Sequence, residues 1–312
     1  MFNRTVLTLG KAEMKMVMNI GSLPTVGRAV KGTDYAYAPG GRGGLAAVIF
    51  ASHSVGSVLC ARLGNDENGE TLTSYFDRCR IDTRYMTRDN DEPTGFSVTI
   101  NEADGAARTV VFPGANDKFG REEIEGAFMC YPDALYIQFD LPDREIIAST
   151  RMAKNWRVPV FVDAGPRKMD LPLEKLENVE IFSLNEDEAF SYTGIYPKSP
   201  ENSLNACMAL ATKIQAKYIV LKLGERGCFI YDGSYYDVVP SYDTTFVDGS
   251  GAGDVFSAAM TADYLRHGDI KNACKYANLA AAVMVSREGT FEAVPTADDV
   301  KRFANRLGVT LL

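Results

Sequence analysis

Residues 248–254 read Asp-Gly-Ser-Gly-Ala-Gly-Asp, and a run with helical spacing, Val255–Arg266, follows at once. The pattern predicts a turn of small residues that opens a helix and leaves backbone N–H groups unpaired at the positive end of the helix dipole. Such an end binds anions. The carboxylate of Asp254 stands beside it, and it can take a proton while the N–H groups hold the negative charge of a transferring group. Phosphoryl transfer to a hydroxyl needs this combination. The alternative is that the glycines only permit a tight turn and that Asp254 favours the helix dipole.

Composition narrows the classes of function. The 312 residues carry a formal net charge of −8, which argues against a nucleic-acid partner because phosphate backbones are bound through an excess of Lys and Arg. The six cysteines form no Cys-x-x-Cys pair, and with two histidines no Cys/His zinc pattern can be assembled. The first apolar run is too short for a signal peptide, and no window approaches the ~20 apolar residues of a membrane-spanning helix. We therefore expect a soluble, cytoplasmic protein with no membrane partner.

Short apolar runs rich in β-branched residues alternate with amphipathic runs along the chain. The predicted buried strands are Thr5–Leu9, Ser57–Ala61, Ala134–Gln138, Val160–Asp163, Ile181–Leu184 and Tyr218–Leu223. The predicted helices are Gly44–Ser54, Glu67–Arg78, Asp143–Asn155, Glu186–Thr193, Pro200–Gln215, Ala252–His267, Asp269–Val285 and Thr296–Leu307. An Asp-Gly pair at 232–233 predicts a hairpin between Cys228–Tyr231 and Tyr235–Val239. The pattern predicts one three-layer α/β domain over residues 1–312, with a mainly parallel sheet covered by helices on both faces.

Two regions do not follow this alternation. Met14–Ile20, Gly32–Ala38, Phe96–Asn101 and Thr109–Phe112 are alternating or aromatic runs separated by turn residues, which predicts a small antiparallel sheet. Because its strands come from two separate parts of the chain, about 11–38 and 94–114, the sheet should form a lid on the main domain. Its closure would exclude water. A small sheet with apolar faces is a poor monomer surface, so we expect a homodimer through the lids.

Several motifs together resemble the ribokinase/PfkB family of sugar and nucleoside kinases. Residues 248–254 resemble its C-terminal signature, the run Gly-Gly-Arg-Gly-Gly at 40–44 its N-terminal signature, and Asn-Glu-Asp-Glu at 185–188 its Asn-x-x-Glu motif. Further similarity lies at 113–116, 223–227 and 277–295. The resemblance covers nearly the whole chain in the family's order. It implies a ribokinase-like fold and ATP-dependent phosphorylation of a small sugar-like acceptor.

The resemblance also implies roles for the matching residues. Asp254 would be the base that takes the proton of the acceptor hydroxyl, and the N–H groups of Gly251, Ala252 and Gly253 would form the anion hole. The residues implied along the nucleotide are Asn185, Glu188, Lys222, Gly224, Gly227 and Asn278. Asn185 and Glu188 would organise Mg²⁺ and its waters, although this motif at a helix start is also close to a capping box. The residues implied near a possible monovalent cation such as K⁺ are Asp248, Ser250, Ser286 and Gly289, and ordinary loop roles are an alternative for the last three.

The acceptor side departs from the family pattern. Lys15 stands where an Asp ordinarily grips sugar hydroxyls, and Leu45 replaces an Asn. An ammonium group only donates hydrogen bonds and Leu makes none. With Arg42 nearby in the motif, Lys15 favours an acceptor bearing a carboxylate or phosphate, such as a sugar acid or a sugar phosphate. The alternative is that Lys15 points to solvent and that Glu13 or Met14 lies inside.

A further acceptor-side candidate is Asp140, which follows a predicted buried strand. Sites of parallel sheets gather at the carboxyl ends of strands. The substrate-binding candidates are thus Lys15, Gly40, Gly41, Arg42, Leu45, Asp140 and Asp254, with Arg108 and Arg167 as weaker ones.

Other functions stay open. A nucleoside kinase of the same family would need the Leu45 side of the site to pack a base, and a non-catalytic sugar or nucleotide sensor could use the same fold. A dinucleotide-binding oxidoreductase is disfavoured, because the Gly-rich run at 40–44 lacks the Gly-x-Gly-x-x-Gly spacing and does not follow the first strand directly.

Overall fold

A computed structural model describes residues 4–166 and 168–312. The strands within these ranges are β1 (Thr5–Leu9), β2 (Glu13–Ile20), β3 (Gly32–Gly40), β4 (Gly56–Cys60), β5 (Arg62–Gly64), β6 (Thr87–Asp89), β7 (Phe96–Glu102), β8 (Ala107–Phe112), β9 (Ala134–Gln138), β10 (Val160–Asp163), β11 (Val179–Asn185), β12 (Ala216–Lys222), β13 (Cys228–Tyr231) and β14 (Tyr236–Val239). The helices are α1 (Arg42–Ser52), α2 (Glu67–Arg78), α3 (Arg121–Ala127), α4 (Asp143–Trp156), α5 (Glu186–Thr193), α6 (Pro200–Ala211), α7 (Ala252–His267), α8 (Ile270–Val285) and α9 (Ala297–Arg306).

The central sheet has eight strands within the described residues, in the order β14-β13-β12-β11-β10-β9-β1-β4. Six neighbouring strands, β12, β11, β10, β9, β1 and β4, pair in parallel. The hairpin β13–β14 adds an antiparallel edge beside β12. Strands β4, β9 and β10 are buried at every position, which explains why most of their residues are apolar. The predicted mainly parallel sheet and its hairpin edge are confirmed.

Helices cover both faces of this sheet over separate hydrophobic cores. Along β9, Tyr136 belongs to the core that includes residues of α1, α7 and α8, whereas Leu135 and Ile137 belong to the core that includes residues of α4, α5 and α6. This alternation follows from the two-residue period of a strand. The three-layer arrangement expected from the sequence is therefore confirmed.

A second sheet has the strand order β3-β2-β7-β8 and corresponds to the predicted lid. The expectation that it is antiparallel is wrong in one respect, because β2 and β7 pair in parallel. The pairs β2–β3 and β7–β8 are antiparallel, as a short connection requires. A parallel pair needs a long crossover, and the chain between β2 and β7 supplies one by passing through β3, α1 and α2.

Most element bounds agree with the sequence-based ones to within a few residues. The main differences are that α6 ends at Ala211 rather than Gln215, and that α1 begins at Arg42 rather than Gly44. The Gly-Gly motif is therefore itself the start of a helix, with Gly41 as the N-cap. In the part of the chain that the structure describes, no helix is both long and apolar enough to cross a membrane.

Candidate active site

Two cavities meet at the N-terminus of α7. One of about 490 Å³, the lid cavity, lies against β2 and β3 and includes Lys15 and Gly251 in its lining. The other, of about 510 Å³, is the α5 cavity, which includes Glu188 and Gly253. Asp254 and Arg42 line both cavities. The predicted base thus lies in the wall between two spaces that could each hold one reactant.

The start of α7 has the geometry that its glycines predict. Gly251 is the N-cap in the left-handed conformation, with φ 75°, which Gly adopts without strain. The amides of Gly251 and Gly253 have no acceptor within residues 4–166 and 168–312, and the amide of Ala252 makes only a long hydrogen bond of 3.3 Å to the carbonyl of Gly249. These N–H groups are free to hold an anion at the positive end of the helix.

The carboxylate of Asp254 is held through one oxygen. Its Oδ1 accepts from Arg42 Nε at 2.9 Å and from Gln138 Nε2 at 2.6 Å. No hydrogen bond reaches its Oδ2 from the described residues. Because the side chain is 14% exposed and lines both cavities, Oδ2 is the atom left for a ligand.

A buried ion-pair chain connects the two cavities. Asp163 is fully buried, and its two oxygens accept from Lys222 Nζ at 2.7 Å and from Arg42 Nη2 at 3.2 Å. Burial alone would raise the pKa of Asp163, but Lys222 and Arg42 outweigh it and hold this pKa below its usual value. Burial would lower the pKa of Arg42, but Asp254 and Asp163 raise it above its ordinary value. Asp163 and Arg42, at the centre of the chain Lys222–Asp163–Arg42–Asp254, are therefore both held in their charged forms.

Sequence reasoning missed Gln138 and Asp163. Both lie at the last position of a parallel strand, β9 and β10 respectively. The rule that singled out Asp140, that sites gather at carboxyl ends of parallel strands, applies to these two residues equally.

Asn185 and Glu188 form the capping box that the sequence left as an alternative. Asn185 Oδ1 accepts from the amide of Glu188 and Glu188 Oε2 from the amide of Asn185, both at 2.8 Å. Burial raises the pKa of Glu188, and the charge of Lys222 partly offsets this. The second oxygen, Oε1, takes no part in the cap. Among the described residues, no three His, Cys, Asp or Glu side chains cluster as a metal site. A metal here would rely on waters and phosphate oxygens, as Mg²⁺ commonly does.

Of the other residues predicted to lie along the nucleotide, two line the α5 cavity and two do not. Gly224 and Lys222 line the α5 cavity, whereas Gly227 and Asn278 are not part of its lining. A Cβ on Gly227 would lie 2.0 Å from the carbonyl oxygen of Val239, and Asn278 Nδ2 donates to the carbonyls of Val239 and Pro240 at 3.1 and 3.0 Å. Gly227 and Asn278 thus hold the segment that leaves β14, and their nucleotide roles stay predictions.

The proposed cation region is tied together by hydrogen bonds. Asp248 Oδ1 accepts from the amide of Ser250 at 2.8 Å and its Oδ2 from the amide of Gly289 at 3.2 Å. Burial would raise the pKa of Asp248, but these bonds outweigh it and lower the pKa. The hydroxyl of Ser286 donates to the carbonyl of Val283. A role in binding K⁺ stays a prediction.

Strand β2 brings alternate side chains into the lid cavity. Glu13, Lys15 and Val17 line it, while Met14 is buried in the core. Lys15 and Glu13 therefore both lie at the cavity, and Lys15 is partly buried there. Lys15 Nζ forms no hydrogen bond or ion pair within 4 Å of a described residue. Leu45 lines the same cavity.

The Gly-Gly motif shapes one wall of the lid cavity. A Cβ on Gly41 would lie 2.4 Å from the carbonyl oxygen of Lys11, and one on Gly40 would lie 2.9 Å from Glu13 Cγ. Glycine is required at Gly41, where φ is 87° and the backbone of Lys11 approaches closely, whereas at Gly40 the close neighbour is the side chain of Glu13. Gly40, Gly41 and Arg42 thus lie at the cavity, as expected.

Asp140 lies at the same cavity, and one of its oxygens is poorly satisfied. Its Oδ1 is buried and has no hydrogen-bond partner in the described part of the chain. Burial raises the pKa of this carboxyl, although Arg42 and Lys11 partly offset the effect. Arg108 is exposed, pairs with Glu102 and does not line the cavity. Arg167 lies outside the described residues.

Comparisons with known proteins identify the family of the chain. The chain matches the model of the pfkB family carbohydrate kinases over residues 3–297. It is 26% identical to the ribokinase of Bacillus subtilis over 96% of this chain and 98% of that protein. It is 25% identical to the ATP-dependent ribose-1-phosphate kinase of Halopiger xanaduensis, over 96% of this chain and 97% of that protein. The solved structure of Arabidopsis thaliana ribokinase complexed with ribose and ATP has a TM-score of 0.89 at 25% identity, over 97% of this chain and 99% of that one. The chain therefore belongs to the pfkB family of carbohydrate kinases and is an ATP-dependent phosphotransferase.

Proposed function

We propose that this kinase phosphorylates a hydroxyl of a small sugar that carries a carboxylate or phosphate group, with Asp254 as the base. The observation that carries the site assignment is that Asp254 lies in the wall shared by two cavities, beside the free amides of Gly251 and Gly253. ATP occupies the α5 cavity and the acceptor occupies the lid cavity.

The reaction follows from this arrangement. Asp254 removes the proton of the acceptor hydroxyl as the oxygen bonds to the γ-phosphorus of ATP, and the bond from that phosphorus to the bridging oxygen of ADP breaks. The amides at the start of α7 hold the charge of the transferring group. Closure of the lid sheet excludes water and thereby limits ATP hydrolysis.

The α5 cavity suits a metal that is bound mainly through phosphates and water. Glu188 Oε1 and the side chain of Asn185 would orient the waters of Mg²⁺, which would neutralise charge on the phosphates of ATP.

We expect the double substitution Asn185→Ala and Glu188→Ala to raise the Mg²⁺ concentration needed for half-maximal activity more than it raises the KM of the acceptor. The reason is that these side chains serve the water shell of the metal. Magnesium titrations of the initial rate measure this effect. Ser199→Ala is the matched control. Ser199 Oγ caps α6 by accepting from the amide of Asn202 at 3.2 Å, and Ser199 lines neither cavity. Loss of this cap should cost about 1 kcal/mol of stability without changing metal dependence. A double variant that behaves like this control would show that the pair is only a cap.

The charges of the lid cavity support an anionic acceptor. Arg42 is engaged by Asp254 and Asp163, and Lys11 lies 3.4 Å from Asp117. Lys15 is therefore the cation of this cavity that has no carboxylate partner within 4 Å. An ammonium group without a carboxylate partner favours a ligand that carries a carboxylate or phosphate.

The carboxylates of the cavity complete the pattern. Glu13 and Asp140 line it, and Asp140 Oδ1 has no donor among the described residues. A carboxylate oxygen accepts hydrogen bonds from hydroxyl groups. The lining thus fits a polyol with one anionic group, and the relative in Halopiger xanaduensis, by its name, acts on such a sugar phosphate. A panel of neutral sugars, sugar acids, sugar phosphates and nucleosides, assayed for acceptor-dependent ADP release, tests the proposal. A neutral sugar or a nucleoside as the best acceptor would contradict it.

We also propose that two copies of the chain associate through their lids. The face of β2 and β3 opposite the cavity carries apolar and aromatic side chains, of which Tyr35 and Tyr37 are 65% and 59% exposed. A contiguous exposed apolar face of this kind marks an interaction surface. Sedimentation velocity should show a dimer, and Tyr35→Ser with Tyr37→Ser should shift it towards monomer. Tyr235→Ser, at the exposed end of the β13–β14 hairpin, is the control. A monomer for the unmodified chain at micromolar concentration would contradict the proposal.

A further inference from the structure

The side-chain amide of Gln138 contacts the proposed base directly. Gln138 is 1% exposed at the end of β9, and its Nε2 donates to Asp254 Oδ1 at 2.6 Å. Since an ionised carboxylate only accepts hydrogen bonds, the NH₂ group has to face Asp254. The other end of the amide, Oε1, is buried without a partner among the described residues. The side chain thus makes its hydrogen bond to the base at the cost of an unsatisfied acceptor, which destabilises the fold.

The two oxygens of Asp254 are consequently not equivalent. Oδ1 accepts from both Gln138 and Arg42, whereas Oδ2 accepts from neither. Two donors on one oxygen stabilise negative charge and carbonyl character there, so a proton arriving at the carboxylate binds to the other oxygen. The same two bonds fix the rotation of the carboxylate about Cβ–Cγ, so that Oδ2 keeps one direction relative to the anion hole.

We propose that Gln138 is a positioning residue that, together with Arg42, makes Oδ2 of Asp254 the atom that takes the acceptor's proton. This inference rests on the proposed role of Asp254 as base. In the step, the O–H bond of the acceptor breaks and its proton goes to Oδ2. The electron pair of that bond forms the new bond to the γ-phosphorus, and ADP leaves with the electrons of the broken P–O bond. Oδ1 then is the carbonyl oxygen of a neutral carboxylic acid and still accepts from Gln138.

Other charged and titratable groups around Asp254 stay the same in the test. They are Arg42 from α1, Tyr136 from β9, Asp163 from β10, Lys222 from β12, Glu186, Asp187 and Glu188 from α5, and Glu13, Lys15, Lys11, Asp140 and Glu292 around the lid cavity. A substitution at Gln138 therefore changes one partner of Asp254 and leaves the ion-pair chain in place.

The isosteric substitution Gln138→Glu tests the proposal. It places a second carboxyl at hydrogen-bond distance from Oδ1, and two carboxyls this close have to share a proton. The midpoint of the acid limb in the profile of kcat/KM against pH should rise by about one unit or more, while the KM for ATP stays within about threefold. Gln215→Glu makes the same chemical change at an exposed position between α6 and β12 and should leave the profile unchanged.

Gln138→Met provides a second test with an uncharged side chain, and it tests the proposal even if the first variant does not fold. It keeps the volume but removes the donor, so kcat should fall about tenfold, in line with the loss of one hydrogen bond to a charged group, with the KM for ATP unchanged. The proposal is overturned if both variants keep the profile and kcat of the unmodified enzyme, or if the profile is unaltered and the apparent kcat falls only in proportion to lost folded protein. Asp254→Asn separates the two ideas. If it stays active, the base assignment fails, whereas if it is inactive and the Gln138 variants are unaltered, only the positioning role fails.

Discussion

Asp254→Asn should lower turnover by about 10²–10⁴-fold, the usual loss when a general base is removed. The amide keeps the shape of the side chain, and its oxygen can still accept from Arg42 and Gln138 as Oδ1 does now. Its NH₂ group would then take the place of Oδ2 and cannot accept a proton. Binding of ATP should change little, since the start of α7 is intact. Acceptor-dependent ADP release gives the turnover, and calorimetry with a non-hydrolysable ATP analogue gives the affinity.

The matched control for this change is Asp170→Asn, an exposed carboxylate that lines neither cavity. This substitution should leave both the turnover and the affinity for the ATP analogue unaltered. Turnover of Asp254→Asn within about threefold of the unmodified enzyme, roughly 0.65 kcal/mol in activation free energy, would show that the base is another group.

Lys15→Met should remove most of the preference for an anionic acceptor. A partly desolvated hydrogen bond to a charged group contributes roughly 1.5–3 kcal/mol, so the preference over the matching neutral sugar should be about ten- to a hundredfold in kcat/KM and should largely disappear. The apparent affinity for ATP should stay the same, because Lys15 lines the lid cavity and not the α5 cavity. Paired measurements on a sugar acid or phosphate and its neutral counterpart give the ratio.

Lys31→Met removes a lysine from the exposed loop before β3 and serves as the control. If both variants lost the preference for the anionic acceptor equally, the result would indicate a general effect of charge on the approach of the acceptor. If Lys15→Met kept the full preference, the anion would be bound by another residue of the lid cavity.

The sequence predicted the features of this protein that depend on neighbouring residues. The parallel strands could be identified because a strand that is buried on both faces must be apolar at nearly every position, as β9 is. The proposed anion hole could be located because its amides and Asp254 lie within four residues, so the start of a single helix positions them. The capping box of α5 is local for the same reason.

The sequence also predicted which residues share a face of β2 with Lys15, because side chains alternate between the two faces of a strand. A strand sends residues i and i+2 to the same side, so Glu13 and Lys15 had to share a face whichever side it was. Which face looks into the cavity depends on how β2 pairs with β3 and β7. That pairing includes the parallel β2–β7 contact, which the local turn signals did not predict.

By itself, then, the sequence determined the layered fold and located the proposed anion hole and the proposed base, since each is encoded by residues close together in the chain. Only the tertiary structure decided how that base is held. Arg42 and Gln138 reach Asp254 across 212 and 116 residues, and Lys222 reaches Asp163 across 59. Such contacts depend on strand order and on the register in which carboxyl ends of strands meet, and no local pattern of residues specifies either.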